Sequence, residues 1–131
     1  MDSSSLHAVA IYIVSKNGDT PLLKDPKKPS PVYWKLPGGR GRPREDALAA
    51  AQRELQEELG ITTMLECIYT ESRENHTFSL FKGVVDSLEE IQKEGDEGEE
   101  IKVFTQKEIM LLGDLLFPPH REILISKGLL K

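Results

Sequence analysis

Apolar residues change their spacing along this chain, and each change marks a different element. Leu6 to Ser15 (LHAVAIYIVS) is rich in β-branched and aromatic residues, which predicts a buried strand. Lys16-Asn17-Gly18-Asp19 is a turn signal, and Pro21 to Leu23 begins a short second strand. The period then lengthens. Leu48, Ala51, Leu55 and Leu59 recur at three- and four-residue spacing, the stripe of an amphipathic helix. Pro43 suits the first turn of that helix, Glu45 and Asp46 complement the positive end of its dipole, and Gly60 suits its C-terminal cap.

Ile61 to Glu71 and Asn75 to Val85 predict two further strands, joined at Ser72 to Glu74. In the second, Phe78, Leu80 and Lys82 share one face; Phe81 falls on the other, where core packing is its default role. Ile101 to Thr105 reads as another strand, and His120 to about Leu130 as a final helix that can bury Ile123, Leu124 and Leu129. Two loops separate these elements. Asp25 to Pro31 (DPKKPSP) holds three prolines, which break both helix and ladder. Leu88 to Glu100 is strongly acidic, and Gly95 and Gly98 argue against a long helix there. His7 and His76 are isolated histidines that read by default as packed or surface residues. Periodicity alone thus gives an α/β or α+β chain with no internal repeat or boundary.

Charge changes the picture most at the central helix. Glu54, Glu57 and Glu58 sit at i, i+3 and i+4, on roughly a third of the circumference. Three carboxylates on one face repel, and a divalent cation removes the repulsion. Hard oxygen donors without His or Cys suit Mg²⁺ or Mn²⁺ rather than zinc. Arg53 lies four residues before Glu57 and can orient a carboxylate.

The spacing around these residues is specific. Five residues separate Gly39 from Glu45, seven more lead to Arg53-Glu54-Leu55, and then come Glu57-Glu58 and Gly60-Ile61. This resembles the complete Nudix box, and Trp34 followed by Leu36-Pro37-Gly38-Gly39 resembles the segment that precedes it. Gln106 to Leu112 resembles the short helix that follows the Ile101 strand in that family. The resemblance implies an α/β/α sandwich with a mixed sheet, one Nudix hydrolase domain over residues 1–131. It implies hydrolysis of a phosphoanhydride in a nucleoside diphosphate linked to a further group, assisted by Mg²⁺ (or Mn²⁺). Carried over by position, the Gly38 carbonyl, Glu57 and Glu58 are metal ligands, and Glu54 is a ligand or general base. Glu45 and Arg53 support them, and a glutamate within Glu97 to Glu100, Glu97 foremost, is an alternative base.

The substrate contacts are less defined. Arg40, Arg42 and Arg44 crowd the loop inside the box, where many relatives carry an acidic residue at 42 and a glycine at 44. They read either as a solvated basic loop or as a clamp for a distal phosphate. Phe78 lies near a tyrosine of dinucleoside-polyphosphate hydrolases and is a candidate substrate contact; Phe81 is the aromatic that could instead stack a base. Beyond Phe117-Pro118-Pro119, small MutT-like triphosphatases that read oxidised guanine are expected to carry asparagine; here His120-Arg121 stands, which disfavours 8-oxo-dGTP as substrate, and Arg121 is a candidate substrate contact. The proline of ADP-ribose hydrolases is missing, since none occurs between Pro43 and Pro118. The readings in play are a MutT-like pyrophosphatase, a dinucleoside-polyphosphate or nucleotide-sugar hydrolase, and a non-catalytic nucleotide-binding module.

Composition narrows the partners. The 131-residue chain has a formal net charge of -5, which disfavours a nucleic-acid polymer or an anionic membrane as main partner and leaves a small nucleotide. Cys67 is alone, so no intrachain disulfide forms and a reducing, cytoplasmic setting is expected. Met1 to Ser5 is too short and polar for a signal peptide and reads as a frayed end. The chain is expected to be a monomer or homodimer.

Overall fold

The computed structural model describes residues 7–130; the expectation for Met1 to Ser5 lies outside them. Strand β1 (His7–Ser15) is the spine of a four-stranded sheet, with β3 (Gly38–Arg40) on one side and β5 (Thr77–Val85) on the other. β1 pairs with β3 antiparallel and with β5 parallel, from His7↔Thr77 to Ser15↔Val85. β4 (Glu66–Ser72) closes the far edge antiparallel to β5, with a bulge between Cys67 and Tyr69. The sheet is therefore mixed. A separate antiparallel ribbon joins β2 (Thr20–Lys24) to β6 (Glu100–Phe104).

The alternation of β1 assigns its side chains to two cores. Val9, Ile11 and Ile13 pack with Ala50, Ala51, Leu55 and Leu59 of helix α1 (Ala47–Leu59) and with Phe81. Ala10 and Tyr12 face the opposite way, toward Phe78, Leu80, Trp34 and Phe104. That second core is covered by Ile109 of α2 (Gln106–Leu112) and by Ile123 and Leu124 of α3 (Pro118–Ser126). Helices on both faces of a mixed sheet make the expected α/β/α sandwich. Among the described residues, no helix is long and apolar enough to cross a membrane.

The helix ends follow local chemistry. Asp46 caps α1, its Oδ1 accepting the Ala49 N–H at 2.8 Å, and Gly60 ends the helix at φ +73. Thr105 and Glu108 form a reciprocal capping box at α2.

Several expected boundaries move. Pro43 is not in the first turn of α1; it lies in a turn three residues before the cap. That turn is fixed by Glu45, whose Oε1 accepts the Arg42 N–H at 2.8 Å. Leu48 is not part of the buried stripe but is 42% exposed, and Ala50 is buried instead, because the helix lies on the sheet along its 51–55–59 side. β4 begins at Glu66 rather than Ile61. The last helix starts at Pro118 and stops at Ser126, because proline is accommodated in the first turn. Leu130 is nevertheless buried, carried by the chain past the helix.

Leu55→Ala is expected to lower unfolding stability by about 2–5 kcal/mol, whereas Leu48→Ala should change it by about 0.5 kcal/mol or less. Urea denaturation of both variants checks this; equal losses would contradict the seating of α1.

Candidate active site

Helix α1 meets the sheet edge at β3, where neither Gly38 nor Gly39 has room for a side chain. A Cβ at Gly38 would lie 2.1 Å from the Val9 carbonyl oxygen, and one at Gly39 would lie 2.2 Å from Glu54 Oε2. The first conflict is with backbone and cannot be relieved by a side-chain movement. The close approach brings two carboxylates of α1 against the strand. Glu58 Oε1 accepts the Gly38 N–H at 2.8 Å, and Glu58 is only 6% exposed.

Burial dominates the electrostatics here. It pushes the Glu54 carboxyl up to about 7, opposed by Arg53 and reinforced by Glu57, Asp96 and Glu97. It pushes Glu58 up to about 8, opposed by the Gly38 N–H and by Lys35, and reinforced by Glu54 and Glu99. Glu58 is thus a buried carboxyl with no ion-pair partner among the described residues, whereas Glu54 is partly buried with Arg53 Nη1 3.5 Å from its Oε2.

Glu57 is held differently. Its Oε1 accepts from Arg53 Nη1 at 2.9 Å and its Oε2 from Arg42 Nη2 at 3.3 Å. Arg53 is the hub of this corner. It donates to both oxygens of Glu45, at 2.8 and 3.0 Å, and to the Arg40 carbonyl at 3.0 Å. The bidentate pairing holds Glu45 down to about 2. The three box glutamates therefore share a face but not a surrounding, with Glu54 and Glu58 against the strand and Glu57 among arginines.

The acidic loop closes the other side. Gln92 anchors it to the end of α1, its Nε2 donating to the carbonyls of Glu57 and Glu58 and its N–H to that of Leu59. Among the described residues, Asp96, Glu97 and Glu99 form a group whose carboxylate oxygens lie within 4.8 Å of one another; Glu54, Glu57 and Glu58 are not gathered so tightly. Within that loop Glu97 is exposed, whereas Glu99 is 7% exposed and accepts the Glu97 N–H at 3.0 Å. The inward glutamate is Glu99, two residues past the foremost sequence candidate. Sequence gives only the run of acids; which one turns inward depends on the turn at Gly95 and Gly98.

A cavity of about 450 Å³ opens on the other face of β3. Gly38, Gly39 and Arg40 form its floor, and Tyr33, Phe78, Phe117 and His120 give it aromatic walls. Arg73 and His76 complete the side next to β5, with the Arg73 guanidinium 4.5 Å from the Phe78 ring centre. Of the sequence candidates, Arg40 and Phe78 line this cavity. Arg42 and Arg44 do not, and Arg42 pairs with Glu57 instead. Arg44 adopts φ +67, a backbone state that favours glycine, which accounts for the glycine of many relatives there. Arg121 is also absent from the walls; its neighbour His120 is present. Tyr33, Arg73 and Phe117 were not legible as site residues, because each lies on a separate segment brought together only by folding.

Comparison with known proteins agrees with this geometry. A model of the NUDIX domain family matches residues 5–125. The chain belongs to that family and is a Nudix hydrolase. Over 87 residues it is 33% identical to an 8-oxo-dGTP diphosphatase of Proteus vulgaris, covering 62% of this chain and 78% of that protein. A solved structure from work on MutT of Aliivibrio salmonicida and Vibrio cholerae superposes with a TM-score of 0.74 at 22% identity, covering 93% of this chain and 94% of that one. A MutT protein from Methanosarcina mazei gives 0.72 at 23% identity, covering 93% and 91%. At these identities the two structures establish the shared fold.

The raised carboxyls fix a sign for stability. Glu58 binds its proton more tightly when folded than when unfolded, so its contribution is favourable at low pH and is lost as pH rises from about 4.5 through about 8. Glu58→Gln keeps an acceptor for Gly38 and removes the charge. With chelator present, the variant should match wild type near pH 5 and exceed it by about 1–3 kcal/mol near pH 9. Chemical denaturation across that range provides the comparison, and a variant weaker than wild type at pH 9 would contradict the burial argument.

Proposed function

We propose that this chain is a divalent-metal-dependent pyrophosphohydrolase of nucleoside triphosphate derivatives, of the MutT-like kind. One observation carries the reading: β3 is shared by two environments. One of its faces floors an aromatic cavity suited to a base. The other abuts Glu54 and Glu58. A nucleotide seated in the cavity extends its phosphates across Gly38–Arg40 toward the carboxylates. The 8-oxo-dGTP diphosphatase relative supports a triphosphate over the nucleotide-sugar and dinucleoside alternatives. No box glutamate is missing, which disfavours a purely binding role.

The donor set suits Mg²⁺ or Mn²⁺: hard oxygen donors without His or Cys, two of the carboxyls raised chiefly by burial. Glu54, Glu57, Glu58 and the Gly38 carbonyl would hold it, with Glu99 or Glu97 from the acidic loop. When bound, the metal neutralises charge on the phosphate oxygens and acidifies the attacking water. The remaining tasks belong to the chain. Arg53 keeps Glu57 and Glu45 oriented. Glu54, against Gly39 of β3, is the alternative to the acidic loop as the group that takes a proton from water. Arg40 at the cavity floor meets phosphate oxygens as a planar fork.

Phosphate or pyrophosphate release should be followed over a panel of triphosphates that includes 8-oxo-dGTP, with dinucleoside polyphosphates and nucleotide sugars alongside. Turnover should need Mg²⁺ or Mn²⁺ and rise toward mildly alkaline pH. Glu57→Gln and Glu58→Gln should each lower kcat by two or more orders of magnitude, as an estimate for a lost ligand. Near wild-type turnover with excess metal would remove these residues from the metal site.

The arginine loop gives a separate expectation. Arg40→Ala should raise KM for a triphosphate more than for a diphosphate, by about 1–2 kcal/mol. Arg42→Ala should act mainly on kcat and metal affinity, since Arg42 meets Glu57 rather than the cavity. Steady-state kinetics on both substrates separates the two, and equal small effects would return both arginines to a solvated loop.

A further inference from the structure

His120 differs from the rest of the cavity wall in that its two ring nitrogens have different surroundings. Nδ1 accepts the N–H of Leu36, a buried residue, at 3.1 Å. A backbone amide only donates, so Nδ1 carries the lone pair, and in the neutral ring the proton sits on Nε2. Burial, helped by the positive charges of Lys35 and Arg73, pushes the ring down to about 4, so the neutral form prevails at physiological pH. The ring is also clamped. It stands edge-on to Phe117, with centres 4.9 Å apart and planes at 86°, and Phe117 packs against Tyr33 at 5.7 Å. Among the described residues, Nε2 has no hydrogen-bond partner. The aromatic wall of the cavity thus includes an imidazole whose Nδ1 is engaged as an acceptor by a backbone amide, which leaves Nε2 as its donor.

We propose that His120 is a specificity-determining residue, its Nε2–H donating one hydrogen bond to a carbonyl or ring-nitrogen acceptor of the nucleobase that enters this cavity. The inference rests on the reading of the cavity as the nucleotide site. An asparagine or glutamine there can rotate its amide to donate or accept. A ring fixed by Leu36 only donates, so it discriminates against a base that presents an amino group at that point, leaving two donors face to face.

The test uses the full chain labelled with ¹⁵N-histidine. Long-range proton–nitrogen correlation at pH 7 should show His120 with a bare Nδ1 and a protonated Nε2. Nucleoside monophosphates, which contain no phosphoanhydride and are not turned over, serve as probes. A bound base should shift the Nε2 resonance. Saturable binding that moves backbone signals of Gly38 and Gly39 and leaves Nε2 unmoved overturns the proposal alone. Absence of any nucleotide binding overturns the site reading with it. In parallel, kcat/KM is compared across four base types for wild type and His120→Phe, which keeps the packing on Phe117. The ratio of best to worst base should fall by about tenfold or more. A purely structural role would lower all four together and leave the ratio unchanged, which would also overturn the proposal. Should His120→Phe not fold, the wild-type resonance decides.

Discussion

The close packing around the two glycines of β3, between β1 and α1, governs the site. β3 can lie where it does because Gly38 has no Cβ to strike the Val9 carbonyl and Gly39 none to strike Glu54. That proximity lets the Gly38 N–H meet Glu58 and places two carboxylates at a buried seam. Their burial raises their proton affinity. They are held there because α1 is firmly seated by Ala51, Leu55 and Leu59. Packing energy on one side of the helix thus sustains electrostatic strain on the other.

Arg53 performs the complementary task. With one planar group it ties Glu45, Glu57 and the Arg40 carbonyl into a single corner. The loop from Arg40 to Glu45 is thereby anchored to the helix that it precedes. The arginine loop divides accordingly: Arg40 faces the cavity, and Arg42 is held by Glu57.

The opposite face of β3 is shaped by aromatic packing rather than charge. Phe78 and Phe117 arrive from distant segments, and Tyr33 from the stretch after the proline-rich loop. The same loop touches the acidic one, Lys27 donating to the Glu97 carbonyl. The aromatic cavity and the carboxylate seam therefore share a strand, and the loops beside them touch through Lys27 and Glu97.

The sequence by itself determined what depends on local spacing. The period of β1 and α1, the Asp46 and Gly60 region as helix ends, and the box with its three glutamates were all readable, because each is fixed within one or two turns of chain. Core assignment was readable where alternation is strict, as for Phe78 and Phe81 on opposite faces of β5. Tertiary structure decided the rest. Leu48 satisfies the helical period yet faces solvent, because the angle at which α1 meets the sheet is set by long-range packing. Glu99 rather than Glu97 turns inward, and His120 rather than Arg121 reaches the cavity, each within a position or two of the sequence candidate. Such small offsets reverse a side chain's direction, and the backbone turns that set them answer to contacts far away in the chain.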